Sequence, residues 1–125
     1  MPTKKPKGIL WLPDVETHDY AAGKSYLSLI YREARAAQFI ARLKGARVVQ
    51  FKAKDIFRAS QLSLLGPSNS HLEKDRARIR AGKGLSPLLL VRNELIGRVT
   101  IADGYHRLCA VYEFDEDASI DCKII

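Results

Sequence analysis

The sequence predicts a small α/β (α+β) domain in which a mixed β-sheet is flanked by helices. Strand-like apolar runs recur at 47–51, 88–91, 98–102 and 119–125, and helical periodicity occupies segments between them. The third of these runs passes directly into a helical pattern, as in α/β units. A chain of 125 residues suffices for one core but not for two. We therefore expect one compact unit, with an N-terminal part at 1–46 and a main part at 47–125.

The N-terminal part begins with a lysine-rich tail and a short apolar strand at 9–12. Apolar residues then recur near helical spacing, which predicts one long helix from about Asp19 to Lys44. Asp19 is the expected N-cap, with Ser25 as the alternative, and Gly45 is placed to end the helix. Packing against the sheet is the default role of such a helix, and a contact surface for a partner is the alternative.

The main part opens with a strand at 47–51 and a short helical turn near Asp55. Ser70 and Glu73 form a capping-box pattern, which predicts a helix that ends near Gly82. The continuous apolar run at 88–91 is typical of a strand buried on both faces, and a hairpin-like turn connects it to the strand at 98–102. Alternating apolar residues at 120, 122 and 124 predict a closing strand.

The segment Asp103-Gly104-Tyr105-His106-Arg107 joins the strand at 98–102 to the following helix. Asp103 is placed to cap the first turn, and Gly104 allows a sharp bend and a close approach to a ligand. The first N–H groups of a helix lack partners within the helix and carry the positive end of its dipole. With an imidazole and a guanidinium in the same turn, this pattern predicts an anion site, most naturally for phosphate. The alternative is an ordinary strand-to-helix turn with a solvated arginine.

This segment resembles the Gly-x-His-Arg segment of the ParB/sulfiredoxin superfamily, which includes the N-terminal domains of ParB partition proteins, the sulfiredoxins and the ParB-like serine kinases. The resemblance covers about 47–125 and includes the order of elements, from the first strand through the basic helix to the motif and the last strand. It implies a ParB/sulfiredoxin-like fold in which Gly104, Tyr105, His106 and Arg107 hold nucleotide phosphates.

The resemblance also implies contacts to the nucleotide from two other elements. In sulfiredoxin-like proteins, polar side chains on the basic helix face the nucleotide, which points to His71, Lys74 and Arg78 here. These three residues share one stripe of the helix, and the alternative is an exposed basic face. In ParB-like proteins, an arginine in the loop after the first strand faces the nucleotide. Arg58 is the nearest match, although the usual Asn-Pro companion is missing.

One departure from the family limits the chemistry that the resemblance implies. Sulfiredoxins need a cysteine immediately before the His-Arg pair, and Tyr105 stands there, so sulfiredoxin activity is disfavoured. The motif is closer to the Asp-Gly-His segment of the ParB-like serine kinases, which makes Asp103 and His106 the candidate catalytic residues. Asp103 could accept a proton from a hydroxyl group, but a carboxylate that caps a helix has a lowered pKa and is a weaker base.

The net charge of +7 favours polyanionic partners, either nucleotides or nucleic acid. ATP, ADP and CTP are the candidate nucleotides, and Mg²⁺ is a candidate companion of their phosphates. The cysteines and histidines form no metal-ligand pattern, so no metal site is expected. The apolar runs are too short for a membrane span and no secretory signal is apparent, so we expect a cytoplasmic protein with no membrane partner. The sequence specifies no oligomeric state.

Three functions follow from these patterns. The first is a nucleotide-binding or phosphate-binding ParB-like domain, with nucleotide hydrolysis or phosphoryl transfer as its extension. The second is a nucleic-acid-binding or nuclease-like accessory protein that uses the basic first half, although no aromatic residues are interleaved with its charges to stack bases. The third is a non-catalytic interaction module whose contact surface is the long first helix.

Overall fold

The computed structural model describes residues 8–64 and 70–125 and, for Ser70 and His71, the backbone only. The α+β class predicted from the sequence is confirmed. The elements, in chain order, are α1 (Thr17–Ile30), α2 (Glu33–Gly45), β1 (Val49–Lys52), α3 (Ala53–Ser60), α4 (Ser70–Arg80), β2 (Leu88–Asn93), β3 (Arg98–Asp103), α5 (Tyr105–Phe114) and β4 (Ser119–Ile124).

The four strands form one mixed sheet in the order β1-β4-β2-β3. β2 and β4 pair in parallel, whereas β1 pairs with β4 and β2 pairs with β3 in antiparallel register. The mixed sheet expected from the sequence is therefore confirmed, and β3 lies at one of its edges. The strand predicted at 9–12 is reduced to a single parallel bridge between Trp11 and Leu85.

β2 divides the core into two layers because its side chains alternate between the faces of the sheet. Leu88 and Leu90 pack in one cluster with Leu108 of α5. Leu89 and Val91 pack in the other cluster, which contains buried residues of α1 and α2. The expectation that this run is buried on both faces is confirmed. The protein thus has helices on both sides of its sheet, with α1 and α2 on one face and α3 and α5 on the other.

The single long helix predicted over 19–44 is wrong, since the chain breaks between α1 and α2. Tyr31 and Arg32 are extended, with ψ angles of 161° and 155°. A straight helix over 19–44 would be about 39 Å long, whereas strands as short as these span only about 20 Å. The break allows Leu27 and Ile40 to bury in the same cluster over this small sheet. No helix among the described residues has the length and apolar character needed to cross a membrane.

Other element bounds differ from the prediction in ways that backbone hydrogen bonds explain. The helical turn expected near Asp55 is a full helix, α3, because the N–H groups of Ala53 and Lys54 donate to carbonyls of the loop before β4. Asp19 is not the N-cap of α1, which is Glu16; Asp19 is instead buried inside the first turn. Its side chain is therefore available for contacts with the rest of the fold.

Lys123 of β4 joins the layer of α1 and α2 to the sheet. Its side chain is buried and its Nζ donates to Tyr20 Oη at 3.0 Å and to the Lys44 carbonyl at 3.1 Å. The Lys44 carbonyl belongs to the last turn of α2, where the helix dipole is negative and favours a cation. The same ammonium group lies 3.1 Å from Asp14. This contact fixes the C-terminal end of α2 against the sheet.

We expect Gly23→Ala to stabilise the protein. Gly23 lies in the interior of α1, and a Cβ there would lie 3.4 Å from Leu89 Cδ1 and from Ile40 Cδ1, which is ordinary van der Waals contact. Alanine should add about 0.5–1 kcal/mol to the free energy of unfolding, because it loses less backbone entropy than glycine in a helix. Urea unfolding followed by circular dichroism measures the change. A lower free energy of unfolding would contradict the packing described here.

Candidate functional site

The motif at 103–107 lies where the edge strand β3 passes into α5. Asp103 is the last residue of β3, Gly104 is the N-cap of α5 at φ 107°, and Tyr105 is the first helical residue. The first backbone hydrogen bond of the helix runs from the Leu108 N–H to the Gly104 carbonyl. The N–H groups of the first turn therefore have no acceptor within the helix, and they carry the positive end of the helix dipole.

Gly104 is required by its surroundings as well as by its backbone angle. A Cβ at this position would lie 2.6 Å from Leu88 Cγ and 2.9 Å from Arg107 Nη2. Both distances are far below van der Waals contact, and a φ of 107° is strained for a residue with a side chain. The turn therefore depends on glycine for two independent reasons.

Asp103 does not cap α5, which corrects the prediction from the sequence. The N-cap residue is Gly104, which has no side chain to make a cap hydrogen bond. The Asp103 carboxylate instead accepts a hydrogen bond from Arg107 Nη2 at 3.0 Å. A side chain that followed the expected capping geometry would turn toward the helix amides, whereas this one turns toward a guanidinium one helical turn away. The first turn of α5 is thereby left without a carboxylate cap.

Arg107 lies between two carboxylates rather than in solvent. Its Nη2 atom is 3.0 Å from Asp103 Oδ2 and 3.4 Å from Asp19 Oδ2 of α1, and the side chain is only 16% exposed. His18 Nε2 lies 3.2 Å from the other oxygen of Asp19. The guanidinium charge is thus shared between two carboxylates that come from separate elements. We call Asp19, Asp103 and Arg107 the ion cluster.

The protonation of Asp103 reflects its position in the ion cluster. Burial raises the pKa of this carboxyl group, the nearby Arg107 opposes that rise, and the charge of Asp19 adds to it. A carboxylate that caps a helix is expected to have a lowered pKa, but this expectation does not apply to Asp103, because it does not cap α5. Its role as a proton acceptor stays a prediction, since its Oδ2 atom is engaged by Arg107.

Tyr105 connects the motif to the segment that follows α3. Its hydroxyl group donates a hydrogen bond to the Ser63 carbonyl, and its ring lies 5.8 Å from the His106 ring, centroid to centroid. Burial raises the pKa of Tyr105, and the neighbouring Cys109 thiol raises it further. The phenol is therefore protonated at neutral pH. It cannot replace the thiolate of a sulfiredoxin.

The cysteines themselves occupy core positions. Cys109 and Cys122 are both buried and neither forms a disulfide. Burial raises the pKa of Cys122 to about 12, so its thiol is not ionised at neutral pH. Cys109 belongs to the cluster of Leu72 and Ala110 between α4 and α5. Both side chains serve as small apolar residues.

Among the described residues, no side-chain contact connects Lys74 or Arg78 of α4 to the first turn of α5. Arg76 Nε of the same helix donates to Glu113 Oε1 of α5 at 3.0 Å, so α4 packs beside α5. The roles of Lys74 and Arg78 at a nucleotide stay predictions. Both side chains are exposed. The prediction for the His71 side chain lies outside the described residues.

Arg58 is not brought to the motif by any contact in the structure. It lies on α3, its side chain is 84% exposed, and its Nη2 is 3.3 Å from Asp55 Oδ1 one turn earlier. The opposite side of α3 faces the core, where the Phe57 and Tyr112 rings meet edge to face at 4.8 Å. Arg58 therefore forms a local ion pair on the surface.

Sequence reasoning did not assign Asp19 to the site. Glu16, His18 and Asp19 place their ligand-type atoms within 4.8 Å of one another at the start of α1. The sequence pattern favours Asp19 as the N-cap of a helix, and a capping role gives no signal of a contact with Arg107. Arg107 supplies the positive charge for this group, so we interpret it as part of an ion-pair network rather than as a metal centre.

Comparisons with known proteins add no family to this description. A scan against protein-family models gives no match, and neither does a search of curated proteins or of solved structures. The resemblance to the ParB/sulfiredoxin superfamily therefore stays a prediction that rests on the motif and on the order of elements.

We expect Gly104→Ala to destabilise the fold, in contrast to Gly23→Ala. The strained φ alone costs roughly 1–3 kcal/mol, and the close contact with Leu88 adds to it. Urea unfolding of the two glycine variants under the same conditions makes the comparison. Equal stability of Gly104→Ala and the unmodified protein would show that the turn does not need glycine.

The raised pKa of Asp103 predicts how stability depends on pH. A carboxyl group whose pKa is higher in the folded state binds its proton more tightly there. Its contribution to the free energy of unfolding is therefore fully present below the unfolded pKa and is lost as the pH rises through the folded pKa. In Asp103→Asn the free energy of unfolding should no longer fall over this pH range. The measurement is the free energy of unfolding against pH, from below the ordinary aspartate pKa of 3.8 up to neutrality. Identical pH slopes for both proteins would refute the assignment.

Proposed function

We propose that the protein binds a phosphate-bearing ligand, a nucleotide, at the first turn of α5. The observation that carries this proposal is the way in which the helix begins. Gly104 is the N-cap at φ 107°, and as a glycine it has no side chain to make a cap hydrogen bond. Backbone amides and the positive end of a helix dipole together favour an anion at such a turn.

The contacts of Arg107 suggest a positioning role for it rather than a direct one. Its guanidinium lies between the carboxylates of Asp103 and Asp19 and is mostly shielded from solvent, so its charge is already largely compensated. It holds the turn that precedes α5 against α1. His106, which lies in the same turn and is partly buried, is then the side chain that we assign to the ligand.

Charge and motif both support a nucleotide as the ligand class. The net charge of +7 favours phosphate-bearing molecules over neutral ones. The resemblance of Gly104-Tyr105-His106-Arg107 to the nucleotide-binding segment of the ParB/sulfiredoxin superfamily favours nucleotides among them. ATP, ADP and CTP remain the candidates, with Mg²⁺ as a companion of the phosphates. Hydrolysis and phosphoryl transfer, with Asp103 and His106 as catalytic residues, stay predictions beyond this proposal.

Isothermal titration calorimetry with ATP, ADP, CTP and GTP, each with and without Mg²⁺, tests the proposal. We expect binding of at least one nucleotide and at least about tenfold weaker binding by His106→Ala, or about 1.4 kcal/mol. His106→Gln keeps a hydrogen-bond donor and should retain more affinity than His106→Ala. Thermal unfolding of each variant shows whether the fold is intact.

A matched control comes from an arginine on the other face of the sheet. Arg32→Gln removes a positive charge from the start of α2 and leaves the motif unchanged, so it should bind the nucleotide as the unmodified protein does. If Arg32→Gln weakens nucleotide binding as much as His106→Ala does, the ligand does not lie at α5. Absence of binding to every nucleotide in the panel would also reject the proposal.

A further inference from the structure

A groove lies on the face of the sheet that α1 and α2 cover, and its lining does not include the motif at 103–107. It encloses about 670 Å³ between α2 and the turn that joins β2 to β3. Its lining combines guanidinium groups with apolar and aromatic side chains, chiefly Tyr31, Arg35, Phe39, Arg42, Arg92 and Leu95. We call this surface the arginine groove.

The guanidinium groups of the arginine groove form no ion pair within the part of the chain that the structure describes. Among the described residues, no carboxylate lies within ion-pair distance of Arg35, Arg42 or Arg92, whereas arginines elsewhere, such as Arg58 and Arg107, do form ion pairs. Among the described residues that line the groove, Glu94 is the one acidic side chain. Three guanidinium groups beside one acidic side chain favour an anionic ligand.

Arg35 is held in place by aromatic rings. Its guanidinium carbon lies 5.6 Å from the centre of the Tyr31 ring and 5.2 Å from that of the Phe39 ring. The two rings meet edge to face at 4.8 Å, and Phe39 is only 8% exposed, so the core fixes this support. An arginine stacked in this way keeps its N–H groups for an anion and loses little entropy on binding.

The spacing of the charges suits an extended ligand rather than a single phosphate. Arg35 and Arg42 are separated by two turns of α2, or about 10 Å along its axis. Arg92 faces the same groove from β2. Leu95 and Ile96, in the turn after β2, follow Arg92 by three and four residues and are 97% and 60% exposed. The groove therefore combines three cationic groups with the half-buried Tyr31 ring and the exposed Leu95 side chain.

We infer that the arginine groove binds single-stranded nucleic acid. A single strand presents a phosphate at every nucleotide and an unpaired base beside it, which matches guanidinium groups interspersed with ring and aliphatic surfaces. A duplex hides its bases, so it would leave Tyr31 and Leu95 unused. An acidic peptide is the competing ligand and is included in the test. This inference is independent of nucleotide binding at α5, because none of the lining residues belongs to the motif.

Fluorescence anisotropy with a short fluorescein-labelled oligothymidylate tests the inference. The double variant Arg35→Gln, Arg42→Gln should bind roughly tenfold more weakly, because charge-assisted hydrogen bonds to phosphate are strong. The slope of log affinity against log salt should become shallower by about 0.7 for each phosphate contact that is removed. A second double variant, Arg42→Gln with Arg92→Gln, leaves the Arg35 stack intact and should give the same result if the fold is unaffected.

The matched control is Arg58→Gln with Arg80→Gln, which removes the same charge from residues that are paired with Asp55 and Glu73. It should bind the oligonucleotide nearly as well as the unmodified protein. An equal loss in this control would show that only net charge matters. Tighter binding of a fluorescein-labelled polyglutamate peptide, or no binding of the oligonucleotide at low salt, would also overturn the inference.

Discussion

The Arg107 guanidinium of α5 lies between one carboxylate at the end of the edge strand and one from the helix layer on the other face of the sheet. Asp103 ends the edge strand β3 and Arg107 belongs to α5, whereas Asp19 belongs to α1 on the other face. Because β3 is at the edge, the ion cluster can reach around the sheet without crossing it. The start of α5, and therefore the candidate anion site, is positioned by this contact.

The ion cluster is better explained by its role in positioning α1 and the start of α5 than by a contribution to the free energy of unfolding. Burying charged groups costs several kcal/mol per ion in order-of-magnitude terms, and their mutual attraction repays this only when hydrogen bonds are complete. Here Arg107 Nε and Asp19 Oδ2 are buried without a hydrogen-bond partner in the described chain. The pKa of Asp103 is raised for the same reason, because burial disfavours the charged form of its carboxyl group. A purely apolar contact could join α1 to α5, but it would not fix the direction of the Gly104 turn.

The sequence contains enough information for the two-faced core and too little for the ion cluster. Leu88 to Val91 form an unbroken apolar run, and such a run has few solutions other than a strand covered by helices on both sides. Asp103 and Arg107 are four residues apart and could have been paired by helical spacing. The contact with Asp19 spans most of the chain and depends on tertiary packing, which local patterns do not encode.

The break between α1 and α2 shows the same limit and explains why the arginine groove was not expected. Tyr31 and Arg32 have no glycine or proline beside them, so no local signal in the sequence marks the end of α1. Arg35 and Phe39 of α2 are four residues apart, a spacing that places a basic and an aromatic side chain on one line of the helix, and the extended Tyr31 joins them across the break. The expectation that no aromatic residues lie among the charges of the basic first half does not hold at Arg35, whose guanidinium lies over the Tyr31 and Phe39 rings. Phe39 is buried in the core, and its ring also supports the guanidinium that faces the groove. A buried ring and an exposed charge can therefore form one surface. Predicting such a surface from the sequence requires that helical spacing be applied to aromatic and basic residues together.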